Sequence, residues 1–123
     1  LKDNIRELEI QINQLKKKEK DKQKKVRIQK LYEFEGLERN GGTRDARKNR
    51  YESQKTIRKE RGGPPSGYDY DEFPYASTKQ GGKGAHVEPV LSSENRAVGR
   101  ELGQFYLKNG IKEGDVFNIR IVE

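Results

Sequence analysis

The stretch Gly62-Gly63-Pro64-Pro65-Ser66-Gly67 constrains the fold more than any other feature, because proline has no amide to donate and pushes its predecessor into extended geometry. No helix can cross it. The next element must start afresh: Tyr68, Tyr70 and Phe73, interleaved with acids, predict a short strand closed by Pro74 and a loop through Gly81-Gly82-Lys83-Gly84. A second strand is predicted over 85–91. Ser92 or Ser93 is expected to cap a helix running to position 107, with Val98, Leu102, Phe105 and Tyr106 recurring at helical spacing as its buried face. Lys108-Asn109-Gly110 is a helix stop. Gly99 and Gly103 each weaken that helix by roughly 1 kcal/mol relative to Ala, and a close approach to the strand pair is the expected compensation. Phe117, Ile119 and Ile121 alternate with Asn118 and Arg120, which predicts a C-terminal strand over 116–122. Strand, loop, strand, helix is a ββα order, so the class is α+β with a small antiparallel sheet.

Upstream, Leu1, Ile5, Leu8, Ile12 and Leu15 fall at coiled-coil spacing and predict a helix over 1–15, which a lysine-rich run then dissolves into a solvated rod. Two heptads hold no isolated coiled coil, so residues 1–25 are read as a helical segment ahead of a domain over 26–123. Val26, Ile28, Tyr32 and Phe34 alternate with polar residues and predict a strand that Asn40-Gly41-Gly42 ends. Thr43 and Asp45 then open a mostly polar helix over 44–57, with Ala46, Tyr51 and Ile57 as its apolar grips.

With 123 residues, 29% hydrophobic and 38% charged, the chain can bury one small core. Its net charge of +7 is uneven: residues 1–61 carry 20 Lys/Arg against 11 Asp/Glu, residues 62–123 carry 7 against 9. The basic half suits a polyanion, although a solvated helix surface accounts for the charge equally well. Cysteine is absent, which excludes disulfides, thiolate metal sites and cysteine nucleophiles. No run approaches the ~20 apolar residues of a membrane span. The chain begins at Leu1 and contains no Met, which points to a piece of a longer precursor.

Candidate chemistry is concentrated over 67–96, where Asp69, Asp71 and Glu72, the single histidine His86, and Asn95-Arg96 at a helix start stand together. Phosphodiester hydrolysis needs a base for water, a divalent ion to neutralise developing charge, and cations to hold the backbone. A non-catalytic nucleic-acid-binding module is the alternative, and it has no use for three acids beside phosphate. A coiled-coil adaptor, the third reading, leaves this run unexplained. Arg47, Arg50, Lys55 and Lys83 are candidate DNA contacts.

Gly67-Tyr68-Asp69-x-Asp71-Glu72-Phe73-Pro74, the Gly-Gly-x-Gly-Ala turn and Asn95-Arg96 with Gly99 and Gly103 together resemble the NucA/NucB-type deoxyribonucleases, grouped with the ββα-metal non-specific nucleases. The resemblance implies a metal-dependent, sequence-non-specific endonuclease. It implies magnesium, with manganese able to substitute, held by Asn95; a general base at Asp71; and supporting roles for Asp69, Glu72 and Arg96. Where the wider superfamily often has a helix acid two turns after the Asn, this chain has Gly103 and Gln104, so Glu101 or Gln104 is left to support the metal. His86 is a rival base. The implied substrate is DNA, with RNA as the alternative. A helical segment ahead of such a domain also resembles the C-terminal warhead of bacterial LXG-type polymorphic toxins, which implies secretion or delivery from a bacterial cell and a cognate acidic immunity protein.

Overall fold

A computed structural model describes residues 5–11 and 33–122. In chain order the elements are β1 (Arg6–Gln11), β2 (Phe34–Glu38), α1 (Thr43–Arg61), β3 (Tyr68–Phe73), β4 (His86–Leu91), α2 (Ser92–Lys108) and β5 (Val116–Val122). They form two small sheets, β1-β5-β2 and β3-β4, with β4 running directly into α2. The α+β class and the ββα unit are therefore as the sequence predicts. Among the described residues no helix is long and apolar enough to cross a membrane.

The N-terminal expectation is corrected. Residues 6–11 are a strand, parallel to β5, with Leu8 opposite Ile119 and Ile10 opposite Ile121. Leu8 and Ile10 are buried while Ile5 is exposed, so the period realised here is two. The physical reason is β5: a central strand with three inward-facing apolar residues needs a partner on each edge, and that long-range pairing overrides a local helical stripe. Leu1, Ile12 and Leu15, and the strand residues expected between 26 and 32, lie outside the described residues. β2 pairs antiparallel with the other edge of β5 and carries an irregularity between Phe34 and Leu37, where Gly36 takes a φ of 69°.

The core lies between the three-stranded sheet and α2. Val98, Leu102, Phe105 and Tyr106 are the buried residues of α2, and Phe105 and Tyr106 meet Phe117 with ring centroids 5.6 and 5.4 Å apart. Ile10 and Phe117 are fully buried at its centre. α1 begins with Asp45 Oδ2 accepting the Gly41 amide at 2.7 Å, which satisfies a donor at the helix start. It offers few apolar grips: Ala46 is buried, but Tyr51, expected to face inward, is 65% exposed. Its anchors are polar instead, for Asn49 Nδ2 donates to the carbonyls of Ala76 and Thr78 and so ties α1 to the loop after β3. That loop closes tightly at Gly81, where a Cβ would stand 2.3 Å from the Tyr75 carbonyl oxygen.

Candidate active site

β3 and β4 are paired over six residues, with Asp69 opposite Val90 and Asp71 opposite Glu88. Because β4 ends where α2 begins, the start of β3 and the first turn of α2 meet. Ser92 does not cap its helix as expected; α2 has no side-chain cap, and the Ser92 hydroxyl donates to Asp69 Oδ1 at 2.8 Å. Asn95 Nδ2 donates to Asp69 Oδ2 at 3.0 Å, and Arg96 Nε stands 3.8 Å from the same oxygen. The Asn95 bond, then the Ser92 bond, hold the Asp69 carboxyl below the usual carboxylate range. Asp69 thus orients Asn95 by its nitrogen and leaves the Asn95 carbonyl oxygen for another partner.

Asp71 and Glu72 are placed differently. Both are buried, at 8% and 5% exposure, on a segment whose four residues from Tyr70 to Phe73 are all buried, so both faces of the strand are covered there. Asp71 Oδ1 accepts the Glu72 amide at 2.9 Å, while Asp71 Oδ2 and Glu72 Oε1 are buried with no hydrogen-bond partner. Burial, followed by the neighbouring Glu72 charge, raises the Asp71 pKa to about 7. Glu72 is also raised by burial, against the opposing pull of Arg50, whose Nε lies 3.9 Å from Glu72 Oε1. A carboxyl that titrates near neutrality in a cleft is the protonation behaviour a general base needs.

These groups share one cavity of about 600 Å3, walled by Arg50, Gln54 and Arg58 of α1 on one side and by α2 on the other. Asp69, Asp71, Glu72, Asn95 and Arg96 all line it. Gly99 and Gly103 line it too, and a Cβ on either would meet nothing within 4 Å. Their expected close approach to the strand pair is corrected: these glycines leave open space in the cleft. Glu101, Gln104 and Lys83 do not line the cavity; Gln104 and Lys83 are exposed and Glu101 is half-buried. His86 lies at the far end of β4 from the α2 start, opposite Phe73, with Nε2 3.1 Å from Glu88 Oε1 and its side chain 61% exposed. It too lies outside the cavity lining.

Several lining residues carried no sequence signal. Gln54 is a buried mid-helix amide whose Oε1 accepts Arg58 Nε at 2.8 Å and which also hydrogen-bonds Glu72. The Tyr70 hydroxyl donates to the Gly62 carbonyl at 2.9 Å beneath the Arg58 guanidinium, 5.2 Å from the ring centroid. Tyr106 and Ser77 share a 2.6 Å hydroxyl contact on the cleft wall. Only the helical spacing of Gln54 and Arg58 could have paired them.

No group of three His, Cys, Asp or Glu among the described residues could hold a metal ion. The donors present do fit a hard cation that keeps most of its own waters: one neutral amide oxygen at Asn95, and two carboxylates, Asp71 and Glu72, that line the cleft and each hold one buried oxygen with no hydrogen-bond partner.

A protein-family model described as deoxyribonuclease NucA/NucB matches residues 24–120. That stretch contains every residue of the cleft, while β1 lies upstream of it. The DNA-entry nuclease of Bacillus subtilis (strain 168) is 49% identical over 37 residues, which is 30% of this chain and 25% of that protein. The match therefore spans only a quarter of that relative's length.

Proposed function

The chain belongs to the NucA/NucB deoxyribonuclease family, and on that premise we propose that it is a metal-dependent, sequence-non-specific endonuclease whose base is Asp71. The observation that carries this is a buried carboxyl with one unpartnered oxygen, raised to about 7, on a residue that lines the same cleft as Asn95 and Arg96. In its ionised form Asp71 accepts a proton from water as the water oxygen attacks phosphorus, and the P–O bond to one sugar oxygen breaks, that oxygen leaving as the new strand end and taking up a proton from solvent. Arg96, Arg50 and Arg58 balance the phosphate charge that the acids would otherwise repel. Asp69 fixes the Asn95 amide, and the N-terminus of α2 adds its partial positive charge. A magnesium ion, for which manganese can substitute, would be held by Asn95 and would neutralise charge on the phosphate and the leaving oxygen. The open face left by Gly99 and Gly103 gives a polymer backbone room beside α2.

Non-specificity is supported by the character of the cleft, which presents charges and a base to the backbone rather than an element shaped for a groove. The proposal extends to a secreted or delivered nuclease, which rests on the family resemblance; the Bacillus relative is named for DNA entry. The helical delivery segment of a toxin warhead is not what residues 6–11 form, so that part of the LXG reading loses its support there.

A plasmid-nicking assay tests the proposal. Supercoiled DNA is expected to be nicked with magnesium or manganese and untouched in excess EDTA. Asn95→Ala should abolish cleavage while DNA affinity and its salt dependence hardly change, because it removes a neutral oxygen and no positive charge. Full activity in chelator would overturn the metal role, and a protein that binds DNA without ever cleaving it would support the binding-module alternative.

A further inference from the structure

A second concavity of about 480 Å3 lies on α1, lined by Arg47, Arg50, Tyr51, Gln54, Lys55 and Arg58. Arg50, Gln54 and Arg58 also line the cleft, so they form the partition between the two hollows. Arg47, Tyr51 and Lys55 succeed one another at intervals of four on the outer side of that partition. Tyr51 is the anomaly. A large aromatic ring that is 65% exposed on a mostly polar helix does not pack on the core, and its visible companion is Lys55, with Nζ 5.9 Å from the ring centroid.

Resting on the nucleic-acid reading of the cleft, we propose that Tyr51 is a stacking platform for an unpaired base of single-stranded DNA leaving the cleft over α1. A strand held by Arg50 and Arg58 at the partition next meets a ring flanked by Arg47 on one side and Lys55 on the other. The cations match the phosphates, and the ring matches any base, because every base has a π-face. An apolar protein partner would find four cations around a single ring, which disfavours it. A duplex cannot use the platform while its bases remain stacked on one another, so the platform selects single strands or frayed ends.

The test is binding of the full chain in EDTA, which keeps it independent of cleavage, with labelled oligothymidylate and a duplex of equal length read by fluorescence anisotropy. Tyr51→Ala should weaken oligothymidylate binding about tenfold or more, the scale of one base-aromatic stack, and duplex binding much less. Its slope against log salt should stay as in the wild type, since no charge is removed. Tyr51→Phe keeps the ring and should bind within about twofold of wild type, which separates stacking from folding. With no Trp in the chain, its six tyrosines also report directly: part of their emission should be quenched by oligothymidylate in the wild type, and that part should be absent in Tyr51→Ala. Unchanged affinity in Tyr51→Ala, an equal loss for both DNA forms, or displacement of the oligonucleotide by polyglutamate as readily as by unlabelled strand would each overturn the proposal. Failure of the wild type to cleave would sink the nuclease reading and leave this measurement standing; the reverse outcome would leave the nuclease and remove the platform.

Discussion

Asp71 is held where its ionised form is poorly supported, and that one fact connects catalysis with stability. Its carboxyl has one amide to accept from and one oxygen with no partner, and burial is the main cause of a pKa near 7. As the base it must be ionised, so kcat/KM should rise with pH through about 7 and then level off. Asp71→Ala should lose at least about 100-fold, the usual scale for a general base. His86→Ala should lose far less, since His86 lies outside the cleft and meets Glu88 instead. A dead His86→Ala with a live Asp71→Ala would reverse the assignment. The same shift has a sign for folding: a carboxyl raised from 3.8 in the unfolded chain to about 7 binds more protons when folded, so its contribution is present at low pH and lost as pH rises through about 7. Asp71→Asn, measured in EDTA, should therefore melt higher than the wild type at pH above about 7 and show a smaller advantage at acid pH. Sequence alone could point to Asp71 as a candidate, by resemblance. It could not show the orphaned oxygen, because that depends on both faces of β3 being covered, so that four consecutive residues are buried where a strand with one solvated face would alternate.

The elements that were legible are those whose partners are near in sequence or whose period is unbroken. β3, β4 and α2 succeed one another in the chain, with the one intervening loop marked by Pro74 and the glycines at 81, 82 and 84, and β5 alternates cleanly, so turn chemistry and periodicity suffice to place them. β1 was not legible. Its partner is more than 100 residues away, and a stripe of Leu and Ile at heptad spacing satisfies a helix as well as Leu8 and Ile10 satisfy a strand. The consequence is testable, because a solvated rod could be removed without harm but an edge of the core sheet cannot. Ile10→Ala should cost about 2–5 kcal/mol in urea unfolding, as for a fully buried aliphatic side chain, and deleting residues 1–11 should cost more. Stability unchanged by Ile10→Ala would restore the dispensable N-terminus. α2 gives the opposite lesson. Its two glycines were legible as an anomaly, but their purpose was not. Since a Cβ at Gly103 meets open space, Gly103→Ala should stabilise the protein by up to about 1 kcal/mol, while Gly103→Leu should occupy the cleft and raise KM for DNA. If Gly103→Leu cuts DNA with wild-type KM, the substrate does not run beside α2.

At the scale of the whole molecule, α1 from the basic half of the sequence and β3 from the acidic half line the same cleft, α1 supplying Arg50 and Arg58 and β3 supplying Asp69, Asp71 and Glu72, with Arg96 added by α2. The charge asymmetry was legible from composition, but not the division of labour among the cations, which only the helical rows of α1 reveal. Arg50 stands beside Glu72 and lines both hollows, whereas Arg47 and Lys55 line the outer one alone. Neutralising these residues should thus have two separable effects. Arg47→Gln with Lys55→Gln removes phosphate contacts outside the cleft, so log affinity should fall and its slope with log salt should flatten by about two contacts' worth. KM should rise, with kcat at saturating DNA falling less than about twofold. Arg50→Gln removes one contact from the slope but also leaves Glu72, whose pKa burial already raises, without the cation that opposes that rise, so kcat should fall as well. Salt titrations and saturation kinetics on the two variants read both quantities. If Arg50→Gln changes only KM, α1 is a binding surface and no part of the catalytic centre; if the double variant loses kcat to the same extent, the two hollows act as one site and α1 does not divide them.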